Sequence, residues 1–83
     1  MIYLEENSNF SVIPRFDVES PIIEVFDEFL ETTVVLNYTD ITNESGYLIV
    51  DYTFNPINNR QYYITIKENT NIAWEGKAMG VLA

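Results

Sequence analysis

The chain predicts an all-β fold, a small antiparallel β-sandwich or open barrel, on three observations. Apolar residues alternate with a period of two along 46–54 and again along 61–67. Turn-forming clusters at 55–60 and 68–71 bound these runs. The composition is rich in β-branched and aromatic residues, with ten Ile, six Tyr and five Phe. Such a pattern predicts five to seven short strands at roughly 8–12-residue spacing. The 83 residues hold one domain, 1–83, with no repeat, low-complexity tract or linker.

Taken in chain order, Phe10, Val12 and Ile13 mark the first β-rich stretch. Residues 20–30 admit two readings. As a helix near 21–30, Ser20 is the N-cap and Pro21 the first helical residue, with Ile22, Val25, Phe26, Phe29 and Leu30 on one stripe. As β, a strand runs from Ile22 to Phe26 and turns at Asp27-Glu28, which agrees better with the strands on either side. Residues 32–38 read as one strand with Val34, Leu36 and Tyr38 on one face, and 40–44 as a polar hairpin loop. In 46–54, Leu48, Val50, Tyr52 and Phe54 face inward, leaving Tyr47 and Ile49 outward. In 61–67, Tyr62, Ile64 and Ile66 oppose Tyr63, Thr65 and Lys67. After the turn, Ile72, Trp74 and Ala78 share a face, so 61–78 is a hairpin that joins 46–54 in an antiparallel meander. Alternation into a small core accounts for Trp74, Tyr62 and Tyr52.

The charge excludes more than it assigns. There are 13 acidic against 4 basic residues, net −9, and no histidine or cysteine. A disulfide framework, a thiol nucleophile, Ser-His and Cys-His catalysis and the usual zinc ligands are therefore unavailable. So acidic a chain repels phosphate backbones, which argues against direct nucleic-acid binding. Eleven of the acids precede Asn55, against one base, Arg15, so an acidic part and a nearly neutral part are expected. Glu5-Glu6 interrupts any export signal, and no apolar run approaches the ~20 residues of a membrane span. Synthesis in a cytoplasm and no membrane partner are the expectations.

No catalytic, cofactor or metal site stands out. Glu24, Asp27, Glu28 and Glu31 resemble a glycosidase pair only in being carboxylates, and a solvated acidic face explains them better. Asp40, Asn43 and Glu44 lack the glycine and the distant glutamate of a calcium loop. The candidates that remain are contact residues. Tyr47, Ile49 and Tyr63 lie on the outward faces, and Met79, Val81 and Leu82 belong to a tail free of charge after Lys77, which either completes the last strand or docks on a neighbour.

Residues 59–66, Asn-Arg-Gln-Tyr-Tyr-Ile-Thr-Ile, followed by a turn and Ile-Ala-Trp-Glu-Gly-Lys-Ala at 72–78, resemble the closing hairpin of short all-β virion proteins of tailed bacteriophages. The resemblance covers about the last 25 residues. It implies an immunoglobulin-like or related sandwich and a non-enzymatic structural subunit of capsid, neck or tail. Such a subunit packs against copies of itself or other virion proteins, needs no cofactor and is located in the virion. The alternative from another class is an acidic inhibitor whose carboxylates Glu24, Asp27, Glu28 and Glu31 mimic DNA phosphates.

Overall fold

The computed structural model describes residues 1–81, which form eight strands in two sheets and no helix. In chain order these are β1 (Ile2–Leu4), β2 (Asn9–Val12), β3 (Ile22–Asp27), β4 (Thr32–Val35), β5 (Asn37–Glu44), β6 (Tyr47–Thr53), β7 (Gln61–Glu68) and β8 (Asn71–Gly80). One sheet has the order β1-β8-β7-β3-β4 and the other β2-β6-β5. The five-stranded and three-stranded sheets pack face to face as a small β-sandwich.

The contested segment 20–30 is a strand and a turn. Ile22–Asp27 pairs antiparallel with both β7 and β4, and a central position between two strands supplies backbone partners that a lone helix would lack. Its alternation buries Ile23 and Val25 completely, or nearly so. The 32–38 run is two strands. Val34, Leu36 and Tyr38 do share the inward side, but the chain crosses from one sheet to the other at the buried Leu36. Residues 40–44 belong to β5 rather than to a loop. The turn lies beyond them at Ser45-Gly46, whose φ values of 52° and 84° are those of a two-residue hairpin turn.

The meander is also corrected. β7 and β8 form the expected hairpin, whereas β6 lies in the opposite sheet. Nor is the pairing wholly antiparallel, since β1 runs parallel to β8, with Tyr3 beside Met79. A bulge after Ile66 inserts Ala73, so Trp74 faces the core beside Ile66 while Ile72 moves to the outer face beside Lys67. Trp74 covers Gly76, where any Cβ would lie 2.6 Å from the indole ring.

The core is built from Leu4, Phe10 and Val12 on one flank and Ile23, Val25, Leu48, Val50, Ile64 and Ile66 at the centre. The inward-facing tyrosines are tied by their hydroxyls. Tyr52 donates to the Glu5 carbonyl at 2.7 Å and Tyr38 to the Pro21 carbonyl at 2.8 Å. Tyr62 accepts from the Ile57 N–H at 3.0 Å. This last bond runs from the start of β7 back to the preceding connection, as in the tyrosine corner of immunoglobulin-like domains. Two residues beyond Tyr62, where antibody domains place a cysteine, stands the fully buried Ile64. Hydrophobic packing therefore holds the sheets together without a disulfide.

Replacing Tyr62 by Phe keeps the ring, its edge contact with Phe54 and its burial, but leaves the Ile57 N–H without its acceptor. The expected cost is about 1–3 kcal/mol, read as a lower urea midpoint with an unchanged slope.

Candidate functional site

Asp27 ends β3 and organises the turn that follows. Its Oδ1 accepts from the N–H groups of Phe29 and Leu30 at 2.9 and 3.1 Å, and its carbonyl accepts from Glu31 N–H at 2.7 Å. Glu31 closes the turn with φ at 55°. The other carboxylate oxygen of Asp27 meets Arg60 Nη1 at 2.7 Å, with both side chains largely buried. Arg60 in turn lies over the Phe29 ring, 4.5 Å from its centroid. Desolvation raises the Asp27 carboxyl, but the Leu30 N–H, the Arg60 guanidinium and the Phe29 N–H together outweigh it and hold it below its ordinary value.

This anchored turn carries two large apolar side chains into solvent, with Phe29 75% and Leu30 58% exposed. Beside them β4 is exposed along its whole length. Val34 points inward, opposite the buried Val25, yet remains 48% exposed because no strand of the smaller sheet covers it. Val35 on the outer side is 62% exposed. The inward side opens into an apolar groove of about 200 Å³ between β3–β4 and the 54–57 connection, lined by Val25, Leu30, Val34, Phe54, Ile57 and Tyr62. The open corner of the sandwich thus gathers the exposed Leu30, Val34 and Ile57 around one groove with Phe29 and Val35 nearby, an arrangement that marks interaction surfaces more often than monomer surface.

The expected contact residues divide between faces. Tyr47 and Ile49 lie on the outer face of β6, and Tyr47 is 49% exposed. Tyr63 lies on the outer face of the five-stranded sheet, on the opposite side of the molecule. Desolvation and the Glu75 carboxylate to which it donates push its hydroxyl pKa up. Met79 completes β8, and Val81 N–H continues the ladder to the Leu4 carbonyl at 2.9 Å. Most of the apolar tail therefore finishes the last strand, and Leu82 lies outside the described residues. The five described positions do not form one patch. Phe29, Leu30 and Ile57 escape the sequence reading because the strand reading of 20–30 ends in a turn before Phe29, only the helix alternative gives Phe29 and Leu30 a face, and Ile57 reads as turn; the uncharged Thr32–Val35 is their sequence signal.

The carboxylate run is dispersed as well. Glu24 pairs with Lys67 at 3.0 Å on the outer face of the five-stranded sheet, and Asp27 is committed to Arg60. Glu28 is half-buried and Glu31 exposed in the turn. No continuous phosphate-like row survives in this set. The acidic and neutral halves of the sequence interleave, since β3 and β4 share a sheet with β7 and β8. An acidic face exists elsewhere: Asp40, Glu44 and Asp51 share the outer side of β5–β6, with no lysine or arginine on the three strands of that sheet. Among the described residues no three acidic side chains converge as a metal site would require. No family model, curated protein or solved structure matches the chain.

Asp27→Asn retains an oxygen for the turn N–H groups but removes the charge facing Arg60. A carboxyl whose folded pKa is lowered contributes stability above its unfolded value, near 3.9, and loses it as pH falls through the folded value. The stability difference between wild type and Asp27→Asn should therefore be greatest near neutral pH and shrink toward about pH 3, as measured by urea unfolding at both values.

Proposed function

We propose that this chain is a non-enzymatic structural component of a bacteriophage virion, acting through its surfaces by packing against other virion proteins or copies of itself. The single observation that carries this reading is the open corner, where an anchored turn and an uncovered strand hold Phe29, Leu30, Val34, Val35 and Ile57 in solvent. A turn fixed by Asp27 and Arg60 presents these side chains with little ordering left to do on contact, the property that strengthens a docking surface. The 59–78 resemblance to virion hairpins supplies the setting, and that hairpin is β7–β8 at the centre of the larger sheet. Purified particles should contain the chain at a fixed stoichiometry by quantitative mass spectrometry. Its absence from intact particles would overturn the reading.

The acidic face of β5–β6 favours a second reading, an inhibitor that competes for the basic groove of a nucleic-acid-handling protein. It moves that function from Glu24, Asp27, Glu28 and Glu31 to Asp40, Glu44 and Asp51. Neutralising those three as Asn, Gln and Asn should abolish inhibition of such an enzyme, and inhibition that survives the triple change would dispose of this reading.

A further inference from the structure

The four sheet edges are not equally protected. β1 is three residues long and runs into Glu5-Glu6, and β2 lies against β1 and leads into Pro14. The stretch of β8 beyond β1 is bulged at Ala73 and bonded there by the Arg15 N–H at 2.8 Å. β5 has a bulge at Thr39 and bears Asp40 and Glu44. These are the devices by which sheet proteins block edge-to-edge pairing. β4 is short, at four residues, but carries no charge, proline or bulge: Thr32-Thr33-Val34-Val35 is uncharged, unbroken, entirely β-branched and exposed throughout.

The backbone shows what would pair with it. Leu36 N–H donates to the Ile23 carbonyl at 2.7 Å, in register with the β3–β4 ladder. Hydrogen-bonded positions alternate along an antiparallel ladder, so Leu36, Val34 and Thr32 turn their backbone groups to β3, whereas Thr33 and Val35 turn theirs to the free side. A two-fold axis normal to the sheet and passing beside Val34 brings Thr33 of each copy opposite Val35 of the other, and each such pair exchanges both of its N–H···O=C bonds. The two Val34 side chains then meet at the closely spaced, non-hydrogen-bonded position, on the inner side next to the apolar groove. Shifting the axis to Thr33 would instead set Glu31 against Val35 of the other copy. The favoured register therefore contains no charged residue in a chain of net −9.

We propose that β4 is a homotypic pairing edge, through which two copies of this chain join their five-stranded sheets antiparallel about a two-fold axis at Val34. The proposal rests on the reading of the chain as an assembling structural protein and names a second copy as the occupant of its open corner. The bonds are local and uncharged, while two copies of net −9 repel at long range, so added salt strengthens the dimer by screening.

Sedimentation equilibrium of the full chain tests this. The expected result is a two-copy mass at about 100 µM, a dissociation constant that falls several-fold as salt is raised from about 0.05 to 0.5 M, and concentration-dependent exchange protection of the Thr33 and Val35 amides. Val34→Lys places a charge at the axis and Thr33→Pro deletes a free-edge donor; both should give a one-copy mass with an unchanged far-ultraviolet spectrum. Thr42→Lys on the guarded β5 edge should leave the two-copy mass intact. A one-copy mass for the wild type up to about 1 mM would overturn the proposal, as would a two-copy mass that persists in both β4 variants. Dimers from a chain absent from particles would sink only the virion reading. A chain present in particles and incorporated equally well as Val34→Lys would sink only the pairing.

Discussion

Three strands have to cover five, and the rest of the molecule follows from that inequality. β6, between β2 and β5, supplies Leu48, Val50 and Tyr52 to the interior, enough to bury Ile23, Val25, Ile64 and Ile66 on the two central strands of the larger sheet. Cover fails at the β4 end. There the smaller sheet contributes only Phe54, just past the end of β6, and the 54–57 connection lies over part of the inner side. That connection is held where Tyr62 accepts the Ile57 N–H, the Gly80 carbonyl accepts from the Asn59 N–H, the Gly80 N–H donates to the Arg60 carbonyl, and Gly80 admits the close passage of the Ile57 carbonyl. A Cβ on Gly80 would sit 2.1 Å from that oxygen, so a residue with no side chain is required where loop and strand cross.

The same asymmetry orders the charges. All four basic residues serve the larger sheet. Lys67 and Lys77 lie on β7 and β8, Arg60 enters β7, and Arg15 donates to the Ile72 carbonyl at the β8 edge. Among the described residues no ion pair reaches Asp40, Glu44 or Asp51 of the smaller sheet, and register places Asp40 directly opposite Asp51. Like charges opposed across strands oppose pairing, and here the Thr39 bulge and the Thr39 hydroxyl bond to the Asp51 carbonyl at 3.3 Å fall at that point. Asp27 is the exception that ties charge to architecture. One carboxylate caps the β3–β4 turn, fixes Arg60 at the start of β7 and, through Arg60, seats Phe29, so it couples two central strands to the most exposed aromatic ring in the molecule.

How far the fold could be read from the residues depends on where the period of two survives. In β6 and β7 it runs unbroken, and Leu48, Val50, Tyr52, Tyr62, Ile64 and Ile66 are buried as alternation requires. In β8 it slips by one at Ala73, which neither composition nor a turn residue announces, so Ile72 exchanges faces. Over 20–30 the apolar positions satisfy both periods, and tertiary pairing with β7 decides between them. The 40–44 part of β5 is hidden because Asp40, Thr42 and Glu44 are polar on a solvent face and within it only Ile41 and Asn43 turn inward, the latter to bond the Val18 carbonyl at 2.8 Å. Which strand joins which sheet is a long-range property, and a two-residue turn at Ser45-Gly46 specifies only that β5 and β6 are neighbours. The open corner is long-range in the same way. Phe29, Val34 and Ile57 are far apart in the chain, and their shared exposure follows from a strand the smaller sheet does not have.

An unguarded edge is a hazard in a chain without long-range repulsion, because each collision of copies can add strands. Here the protection is carried by total charge instead of by residues on β4. At physiological ionic strength repulsion between exposed charges decays over about 8 Å, so two copies meet it on approach and over all mismatched orientations that set carboxylates against one another. The orientation that places the neutral β4 segments together satisfies the backbone groups of Thr33 and Val35. Short-range bonding with one geometry, set against repulsion in the others, selects a single contact and limits its strength. An assembling subunit of the kind proposed above needs that combination, and the acidic excess and the bare edge provide it only together.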